Sequence, residues 1–371
     1  MSDAVTVVGA GPAGLAAAIV LAKGGKSVNL CEWHSHVGAR FHGDFQGLEN
    51  WSCGKDVLAE LETWGIESNF LAHPVTAGTG FDSRWRRHNI SSSRPLFYLV
   101  ERGAGQRSLD NGLLRQAEAL GVRIHFGTRV REAEGQTVLA GGPRRADIIA
   151  SGFVFETDSE NGAYIAFDDD LAPRGYAYLL VHEGRGTLAA CLFTGFKQQR
   201  QFVTRTCDFF RREVGLQMHN ARAFGGFGNL RLPERAVQGQ NPVAGEHAGF
   251  QDALAGFGLR YAIASGVLAA RSILEQRNYE ELWRRMLLPR MKAGIVNRYL
   301  FNSIGSRGRN WVTARLMQAR TGERLHQLYA GSWLHTGLFP LARRRFRDSL
   351  EDSSCDHQGC TCVWCEHGGA G

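Results

Sequence analysis

The stretch AVTVVGAGPAGLAAAIVLAKGGKSVNLCEW, residues 4–33, decides the fold of this chain. Its apolar run Val5–Val8 is typical of a strand buried inside a parallel sheet. Gly9, Gly11 and Gly14 follow in the order G-x-G-x-x-G, and a stretch rich in Ala and Leu comes next. This order of strand, glycine loop and helix predicts a dinucleotide-binding unit.

Each position of the glycine loop has a physical role in that prediction. Gly9 permits the tight turn, Gly11 lets the backbone approach a pyrophosphate, and Gly14 lets the helix pack against the strand. Pro12 and Ala13 open the helix, whose N-terminus attracts phosphate groups. We therefore expect residues 9, 11, 12, 13 and 14 to bind the cofactor.

A second apolar run, Ser27–Cys31, ends at an acidic residue, Glu32. A carboxylate in this place accepts hydrogen bonds from the adenosine ribose, and it repels a 2′-phosphate. The alternative for the whole stretch is a glycine-rich turn that binds no ligand.

The segment RPLFYLVERGAGQRSLDNGLLRQAEALGVRIHFGTRV, residues 94–130, predicts a strand, a helix and a further strand after Gly121. It resembles the R…D…L…A…G stretch of FAD-dependent oxidoreductases of the para-hydroxybenzoate hydroxylase type. The residues that carry this resemblance are Arg102, Asp110, Leu113, Ala117 and Gly121. The segment ADIIASG, residues 146–152, is similar to the stretch by which those proteins return to the Rossmann sheet.

A third stretch, NPVAGEHAGFQDALAGFGLRYAIASGVLAARSIL at 241–274, looks like the GDAAG…G.G motif of the same proteins. The resemblance implies that Gly245 and Glu246 take the Gly-Asp positions at the flavin ribitol. It also implies that Gly256 and Gly258 open a glycine-rich helix facing the cofactor, which is then FAD. A helix N-terminus in that place stabilises negative charge on a reduced flavin.

Two further segments are similar to the geranylgeranyl reductase family, over roughly residues 1–285. APRGYAYLLV, residues 172–181, resembles the signature P-x-x-Y-x-W-x-F-P through Pro173, Tyr176 and Tyr178. VGARFHGDFQG, residues 37–47, falls where that family has a loop near the flavin, and it contains Arg40 and His42. The chain departs from both patterns, with Tyr178 in place of Trp and Phe41-His42 where a cysteine is expected.

These resemblances imply an α/β fold with a Rossmann-type FAD-binding domain, an inserted antiparallel-sheet substrate domain and a helical C-terminal region. The predicted limits are 1–75, 100–155 and 235–278 for the FAD-binding domain, 76–99 and 156–234 for the substrate domain, 279–350 for a basic helical region, and 351–371 for a Cys-rich tail.

The predicted activity is reduction of carbon–carbon double bonds in an apolar, isoprenoid or lipid-like substrate. His42 is the candidate proton donor, since imidazole titrates near neutral pH. The alternative is a surface or structural histidine in a glycine-rich loop. Tyr176 and Tyr178 are expected to shape an apolar pocket. No second strand–GxGxxG–helix unit is visible, so NAD(P)H or a ferredoxin-type protein must supply electrons. The alternatives are an FAD-dependent monooxygenase of an aromatic or lipid substrate and an electron-transfer module.

Charge is unevenly distributed along the chain, whose formal net charge is +7. Residues 284–347 contain fourteen Arg or Lys and one acid, Glu323. Their alternation of apolar and basic positions predicts amphipathic helices, either with a solvated basic face or in peripheral contact with a membrane. Nucleic-acid binding is not expected, because no recognised binding module accompanies the charge. The expected compartment is the cytoplasm.

Half of the cysteines crowd into the C-terminal CDHQGCTCVWCEHGG, residues 355–369. Cys355, Cys360, Cys362 and Cys365 offer four thiolates, enough for tetrahedral zinc or for an iron–sulfur cluster. A redox dithiol and an unstructured tail are the other two interpretations. The remaining cysteines are widely spaced in apolar sequence, which predicts buried free thiols in a reducing compartment.

Overall fold

The computed structural model describes residues 4–132, 135–318, 320–349, 362–363 and 365. They form two compact units. The first comprises Met1–His73, Leu99–Arg144 and Asn229–Lys292, and the second comprises Pro74–Tyr98, Arg145–Gly228 and Ala293–Gly371.

The strands, in chain order, are β1 (Ala4–Val8), β2 (Ser27–Cys31), β3 (Phe45–Glu49), β4 (His73–Val75), β5 (Ala77–Phe81), β6 (Arg87–Ser91), β7 (Phe97–Glu101), β8 (Arg123–His125), β9 (Thr137–Leu139), β10 (Ile148–Glu156), β11 (Gly162–Ala166), β12 (Tyr176–His182), β13 (Arg185–Leu192), β14 (His219–Gly228), β15 (Val237–Gln238) and β16 (Asn241–Pro242). The α-helices are α1 (Pro12–Lys23), α2 (Val57–Thr63), α3 (Leu109–Ala119), α4 (Gln199–Val214), α5 (Leu259–Leu274), α6 (Tyr279–Met286), α7 (Leu288–Ser303), α8 (Gly305–Leu316), α9 (Thr321–Tyr329) and α10 (Trp333–Ser349).

The first unit contains a parallel sheet in the order β8-β2-β1-β9. Helix α1 crosses from β1 to β2, and every residue from Ala13 to Leu21 is buried. Pro12 stands at its first turn, where a missing N–H costs nothing. Ser108 caps the N-terminus of helix α3: its side chain accepts a hydrogen bond from the Asn111 N–H at 3.1 Å. The predicted Rossmann-type arrangement is confirmed.

One predicted strand of this sheet is wrong. We expected ADIIASG, residues 146–152, to return the chain to the parallel sheet. Strand β9, Thr137–Leu139, takes that place beside β1. Residues 148–156 instead form β10, which pairs antiparallel with β13 and β14 in the second unit. Both segments are short and apolar, so local pattern does not distinguish them.

The second unit is built on a seven-stranded sheet in the order β14-β10-β13-β12-β11-β5-β6. Its pairs are antiparallel except β11 with β5. Helix α4 packs against one face through Cys207, Phe209 and Phe210, which meet inward-facing residues of the strands. Burial of these apolar side chains stabilises the unit by roughly 25 cal/mol for each Å² removed from water.

Four cysteines outside the tail were predicted to be buried. Cys191 and Cys207 are buried free thiols, as predicted, but Cys31 and Cys53 are only half-buried. No helix among the described residues is long and apolar enough to cross a membrane.

Candidate cofactor site

Gly9 directly follows strand β1, and its backbone conformation is one that other residues rarely adopt. Its φ is +100°, and a β-carbon there would lie 2.3 Å from the Ala140 carbonyl oxygen. The Gly9 N–H donates to the Cys31 carbonyl oxygen at 2.8 Å. The turn predicted at this position is confirmed. The backbone of Ala140 packs so closely on Gly9 that it leaves no space for a β-carbon, which is a second reason for glycine here.

Gly11 and Gly14 differ in what surrounds them. A β-carbon on Gly14 would lie 1.8 Å from the Gly9 carbonyl oxygen, because the helix start packs directly on the turn. A β-carbon on Gly11 would meet no atom within 4 Å. No side chain caps the N-terminus of α1. The loop therefore offers open space beside an uncapped helix N-terminus, which is what a pyrophosphate needs.

Glu32 is held against this loop. One carboxylate oxygen accepts from the Ala10 N–H at 2.7 Å, and the other accepts from the His34 N–H at 2.9 Å. A carboxylate oxygen can accept more than one hydrogen bond, so Glu32 retains capacity for a ribose hydroxyl.

The tertiary structure brings the third glycine motif to the first. A β-carbon on Gly266 would lie 2.0 Å from the Ala13 carbonyl oxygen, so α5 and α1 cross in close contact there. Gly245 has φ of +65°, and a β-carbon on it would lie 2.8 Å from that of Ala13. The Gly245 N–H donates to Ser265 Oγ at 2.8 Å. Two motifs more than 200 residues apart thus meet at one helix start.

Glu246 lies at the start of α5 beside a cation. Its Oε2 is 3.6 Å from Arg40 Nη1, and its Oε1 would lie 3.5 Å from a β-carbon on Gly258. Burial raises the pKa of Glu246, although the charges of Arg40 and Arg102 lower it. Gly256, with φ of +80°, precedes the helix, and its carbonyl oxygen accepts from Gln251 Nε2 at 2.8 Å.

Arg102 is only 4% exposed and is held on several sides. Its Nε and Nη2 each donate to Asp110 at 2.9 Å, and Nη1 donates to Gln46 at 3.1 Å. The guanidinium carbon lies 3.8 Å from the centre of the Phe41 ring. This bidentate, stacked geometry fixes the loop around Phe41.

The loop that carries the candidate proton donor is anchored to Arg102 through backbone hydrogen bonds. Gly43 N–H donates to the Arg102 carbonyl, and Arg102 N–H donates to the carbonyl of Asp44. The Asp44 side chain accepts from the His42 N–H at 3.0 Å, and burial raises the pKa of this carboxyl. The His42 side chain is exposed to solvent, and the hydrogen bonds of Gly43, Asp44 and Arg102 anchor the loop that carries it.

His247, next to Glu246, has no counterpart in the sequence prediction. Its Nδ1 accepts from the Gly141 N–H at 3.1 Å. Burial, with a smaller effect of Arg144, lowers the pKa of His247 to about 4. The imidazole is therefore neutral at physiological pH, in agreement with its role as an acceptor. Ser265, Gly266, Gln46 and His247 were missed because only tertiary contacts show their roles.

Tyr176 and Tyr178 lie on β12 in the second unit. They face away from the α4 core, which receives Ala177 and Leu179. Their ring centres are 6.4 Å apart. Two rows of residues continue across the neighbouring strands from these tyrosines, and we call them the small-residue face: Tyr176, Cys191, Ala150 and Gly226 in one row, and Tyr178, Ala189, Gly152 and Phe224 in the other.

The predicted metal site lies partly outside the described residues, since Cys355 and Cys360 are not among them. Cys362 is 1% exposed and joins the apolar core of the second unit, and Cys365 packs against that core. The Val363 N–H donates to Gln199 Oε1 at 3.0 Å. Within the part of the chain that the structure describes, no group of three or more His, Cys, Asp or Glu could hold a metal ion.

The first unit fits FAD on the geometry of its own residues. The open side of Gly11, the uncapped start of α1 and the carboxylate of Glu32 would receive the pyrophosphate and the adenosine ribose. In agreement, residues 2–145 match the family model described as FAD binding domain. A comparison with curated proteins finds no match.

Solved structures share the fold over nearly the whole chain. A geranylgeranyl bacteriochlorophyll reductase-like protein from Thermoplasma acidophilum is 17% identical, with a TM-score of 0.63, and the match covers 93% of this chain and 98% of that one. A flavin-dependent brominase is 14% identical, with a TM-score of 0.64 and the same coverage. A p-nitrophenol 4-monooxygenase from Pseudomonas putida is 15% identical, with a TM-score of 0.58, covering 94% and 98%.

The fold and the glycine-rich site define the class of protein: the chain has the FAD-dependent oxidoreductase fold. The matched residues 2–145 fall in the first unit except for 74–98 and 145, which belong to the second. At these identities the solved structures establish the fold alone.

Proposed function

We propose that this protein is an FAD-dependent reductase acting on carbon–carbon double bonds of an apolar, isoprenoid or lipid-like substrate. The observation that carries this proposal is the small-residue face. None of its eight positions carries a charged side chain. Bound FAD would supply the hydride.

The chemistry of the face favours an apolar chain as its ligand. Burial raises the pKa of Cys191 to about 12, so its thiol is neutral, and Tyr176 hydrogen-bonds it. Ala189 and Gly152 are buried, whereas Tyr176, Tyr178 and Ala150 are half-buried. Open space is shown at Gly226, where a β-carbon would meet nothing within 4 Å, whereas one on Gly152 would lie 1.8 Å from the Leu188 carbonyl oxygen. The aromatic rings of Tyr176 and Tyr178 offer apolar surface for a ligand.

A polar aromatic substrate suits this face less well. A nitrophenol or a phenolate must find partners for its charged or hydrogen-bonding groups, because burying them unpaired costs several kcal/mol. The face offers only tyrosine hydroxyls and one thiol. Monooxygenation stays the second candidate because the p-nitrophenol 4-monooxygenase matches this chain over a similar length.

The residues of the first unit have proposed roles in this activity. Arg40 and Glu246 would orient the cofactor at the start of α5, and Arg102 would hold the loop of Phe41 in place. His42 would donate the proton that completes reduction of the double bond. The imidazole is exposed on a loop whose base is fixed by Asp44 and Arg102, which suits delivery of a proton from solvent.

The test is an anaerobic turnover experiment with geranylgeraniol as the probe. The protein is loaded with FAD, reduced with dithionite under nitrogen and mixed with the alcohol. We expect a product that has gained two hydrogens, detected by mass spectrometry. Incubation with NADPH and p-nitrophenol in air tests the alternative, whose product has gained an oxygen atom in place of the nitro group or on the ring. Oxygenation in air with no anaerobic reduction would overturn the proposal.

Gly226→Val tests the face itself. A β-carbon at Gly226 meets nothing within 4 Å, so the strand tolerates valine while the new side chain fills the space above the row. We expect turnover to fall by about a hundredfold, since small displacements of substrate cost that much. The matched control is Gly331→Val, on an open loop position, which should retain full activity.

The His42→Ala variant should keep FAD binding and lose turnover. Steady turnover by the isolated protein would exclude a pure electron-transfer module.

A further inference from the structure

The second unit contains a cavity of about 390 Å³ between strand β6 and helix α8. Its lining includes Arg86, Arg87, His88, Trp311, Arg315 and Gln318. The volume is in the range of small-molecule sites in proteins, about 300–1,000 Å³. None of these residues has a role in the FAD site or in the small-residue face.

Each arginine of this cavity has at least one hydrogen-bond partner. Arg86 donates through Nε to Asp82 at 2.8 Å, and its Nη2 lies 2.7 Å from the same oxygen. Arg87 Nη2 donates to the Glu213 carbonyl oxygen at 2.6 Å. Arg315 Nη1 donates to Gln318 Oε1 at 3.2 Å. A guanidinium has five N–H donors, so each of the three retains donors for a ligand after this anchoring.

The charge balance of the cavity favours an anion. The lining residues include three arginines and no acid. One of them, Arg86, pairs with the Asp82 carboxylate, which also accepts from His88 Nε2 at 3.1 Å. Arginine forks match phosphate oxygens in geometry as well as in charge. A phosphate group with two negative charges would compensate this excess.

Trp311 adds a planar apolar surface beside the arginines. Its side chain is 70% exposed, although tryptophan is usually well covered. An indole beside cations is the combination that stacks a nucleobase while the phosphate is bound. A lipid phosphate would use the cations but has no ring to stack.

We propose that this cavity binds the adenosine phosphate portion of NADPH. The sequence has a single G-x-G-x-x-G unit, so a nicotinamide donor must bind elsewhere. The cavity suits one nucleotide rather than a whole dinucleotide, and three arginines favour the additional 2′-phosphate of NADPH over NADH. The redox role of this ligand rests on the proposed function, whereas its binding does not.

The experiment is calorimetric titration of the FAD-loaded protein with 2′,5′-ADP, which contains the adenosine and 2′-phosphate of NADPH. We expect saturable binding that is tighter than that of 5′-AMP. Arg87→Gln, Arg315→Gln and Trp311→Ala should each weaken it about ten-fold or more, as expected for loss of a charge-assisted hydrogen bond or of base stacking. Arg84→Gln and Arg307→Gln remove exposed arginines that do not line the cavity, and both should bind normally.

Four results would overturn the proposal. They are absence of binding, equal losses in the control variants, inorganic phosphate binding as tightly as 2′,5′-ADP, and geranylgeranyl phosphate binding more tightly than the nucleotide. The last two identify a simple anion site and a lipid phosphate site. Because binding is measured without turnover, failure of the reductase assay would not alter this result.

Discussion

At the scale of residues, the three glycines of the first motif are constrained by different neighbours. Gly9 faces a carbonyl of the chain at Ala140, and Gly14 faces the carbonyl of Gly9 itself. Gly11 faces no protein atom within 4 Å. Only Gly11, therefore, is expected to be needed for the ligand alone, and substitution can separate binding from folding.

Gly11→Val should abolish FAD binding while the free energy of unfolding of the FAD-free protein changes by less than about 0.5 kcal/mol. Its φ of −78° and ψ of 177° suit valine, so no strain arises. Gly9→Ala should destabilise by about 2 kcal/mol or more, because a β-carbon meets backbone at a positive φ. Flavin absorbance after dialysis and urea unfolding measure the two effects. Gly54→Ala, another open glycine, is the control. A Gly11→Val protein that retains FAD would contradict the assignment.

Asp82 makes a second residue-scale prediction, on pH. Although burial raises its pKa, hydrogen bonds from Arg86 and His88 bring the pKa down from 3.8 to about 2. A lowered pKa stabilises the folded state above the unfolded value, by about 2 kcal/mol here, and this contribution is lost as pH falls toward the folded value. The stability difference between the natural chain and Asp82→Asn should therefore be about 1 kcal/mol smaller near pH 3 than near pH 6. Urea unfolding at both pH values measures it. Asp208→Asn, at an exposed ion pair, should show little change.

At the scale of elements, the contact of α1 with α5 assembles the candidate cofactor site. The sequence predicted a helix opened by Gly256 and Gly258, and α5 begins at Leu259, directly after Gly258. It also predicted β2 and helix α3, which begins at its Ser108 cap. The close crossing at Ala13 and Gly266 was not predictable. The residue pattern of α5 does not show which element packs against the helix face that contains Gly266.

Gly266→Ala should destabilise the protein, contrary to the usual effect of this change in a helix. Alanine normally stabilises a helix interior by about 1 kcal/mol relative to glycine. Here its β-carbon would lie 2.0 Å from the Ala13 carbonyl oxygen, so the helices must separate, at a cost of about 1–3 kcal/mol, and FAD affinity should fall. The control is Gly337→Ala in α10, where nothing lies within 4 Å and the usual gain is expected. Thermal unfolding and flavin titration measure both variants. An unchanged Gly266→Ala protein would show that the crossing is looser than described.

At the scale of the molecule, the basic C-terminal helices carry an apolar surface. In α10, Trp333 is 81% exposed, Leu334 49% and Leu341 48%, whereas Ala342 and Phe346 are buried. Exposed arginines follow along the same helix at 343, 344, 345 and 347. Aromatic and aliphatic side chains next to cations are typical of helices that bind the surface of an anionic membrane. We propose that α10 makes the peripheral membrane contact that the sequence left open.

Vesicles containing phosphatidylserine test this contact by co-sedimentation. The natural chain should bind them and be released by salt, because screening weakens attraction between the arginines and anionic headgroups. Replacing Trp333 and Leu334 together by Ser should weaken binding by about ten-fold or more, since both lose apolar surface for burial. Leu120→Ser, an exposed leucine of the first unit, is the matched control. Equal binding by both variants would exclude α10 as the contact.

The glycine motifs predicted the Rossmann-type FAD-binding fold, because they are local, but the local pattern did not show that residues 148–156 join the sheet of the second unit. A turn with positive φ, an uncapped helix start and an acid at a strand end each depend on a few neighbouring residues. Only tertiary contacts show which distant segments meet: Gly266 on Ala13, Arg102 on Phe41, Trp311 in the same cavity as Arg87 of β6, and Cys362 in an apolar core. These contacts depend on packing between elements that are far apart in the chain. The periodicity of apolar residues predicts the type of each element but not the elements that pack against it.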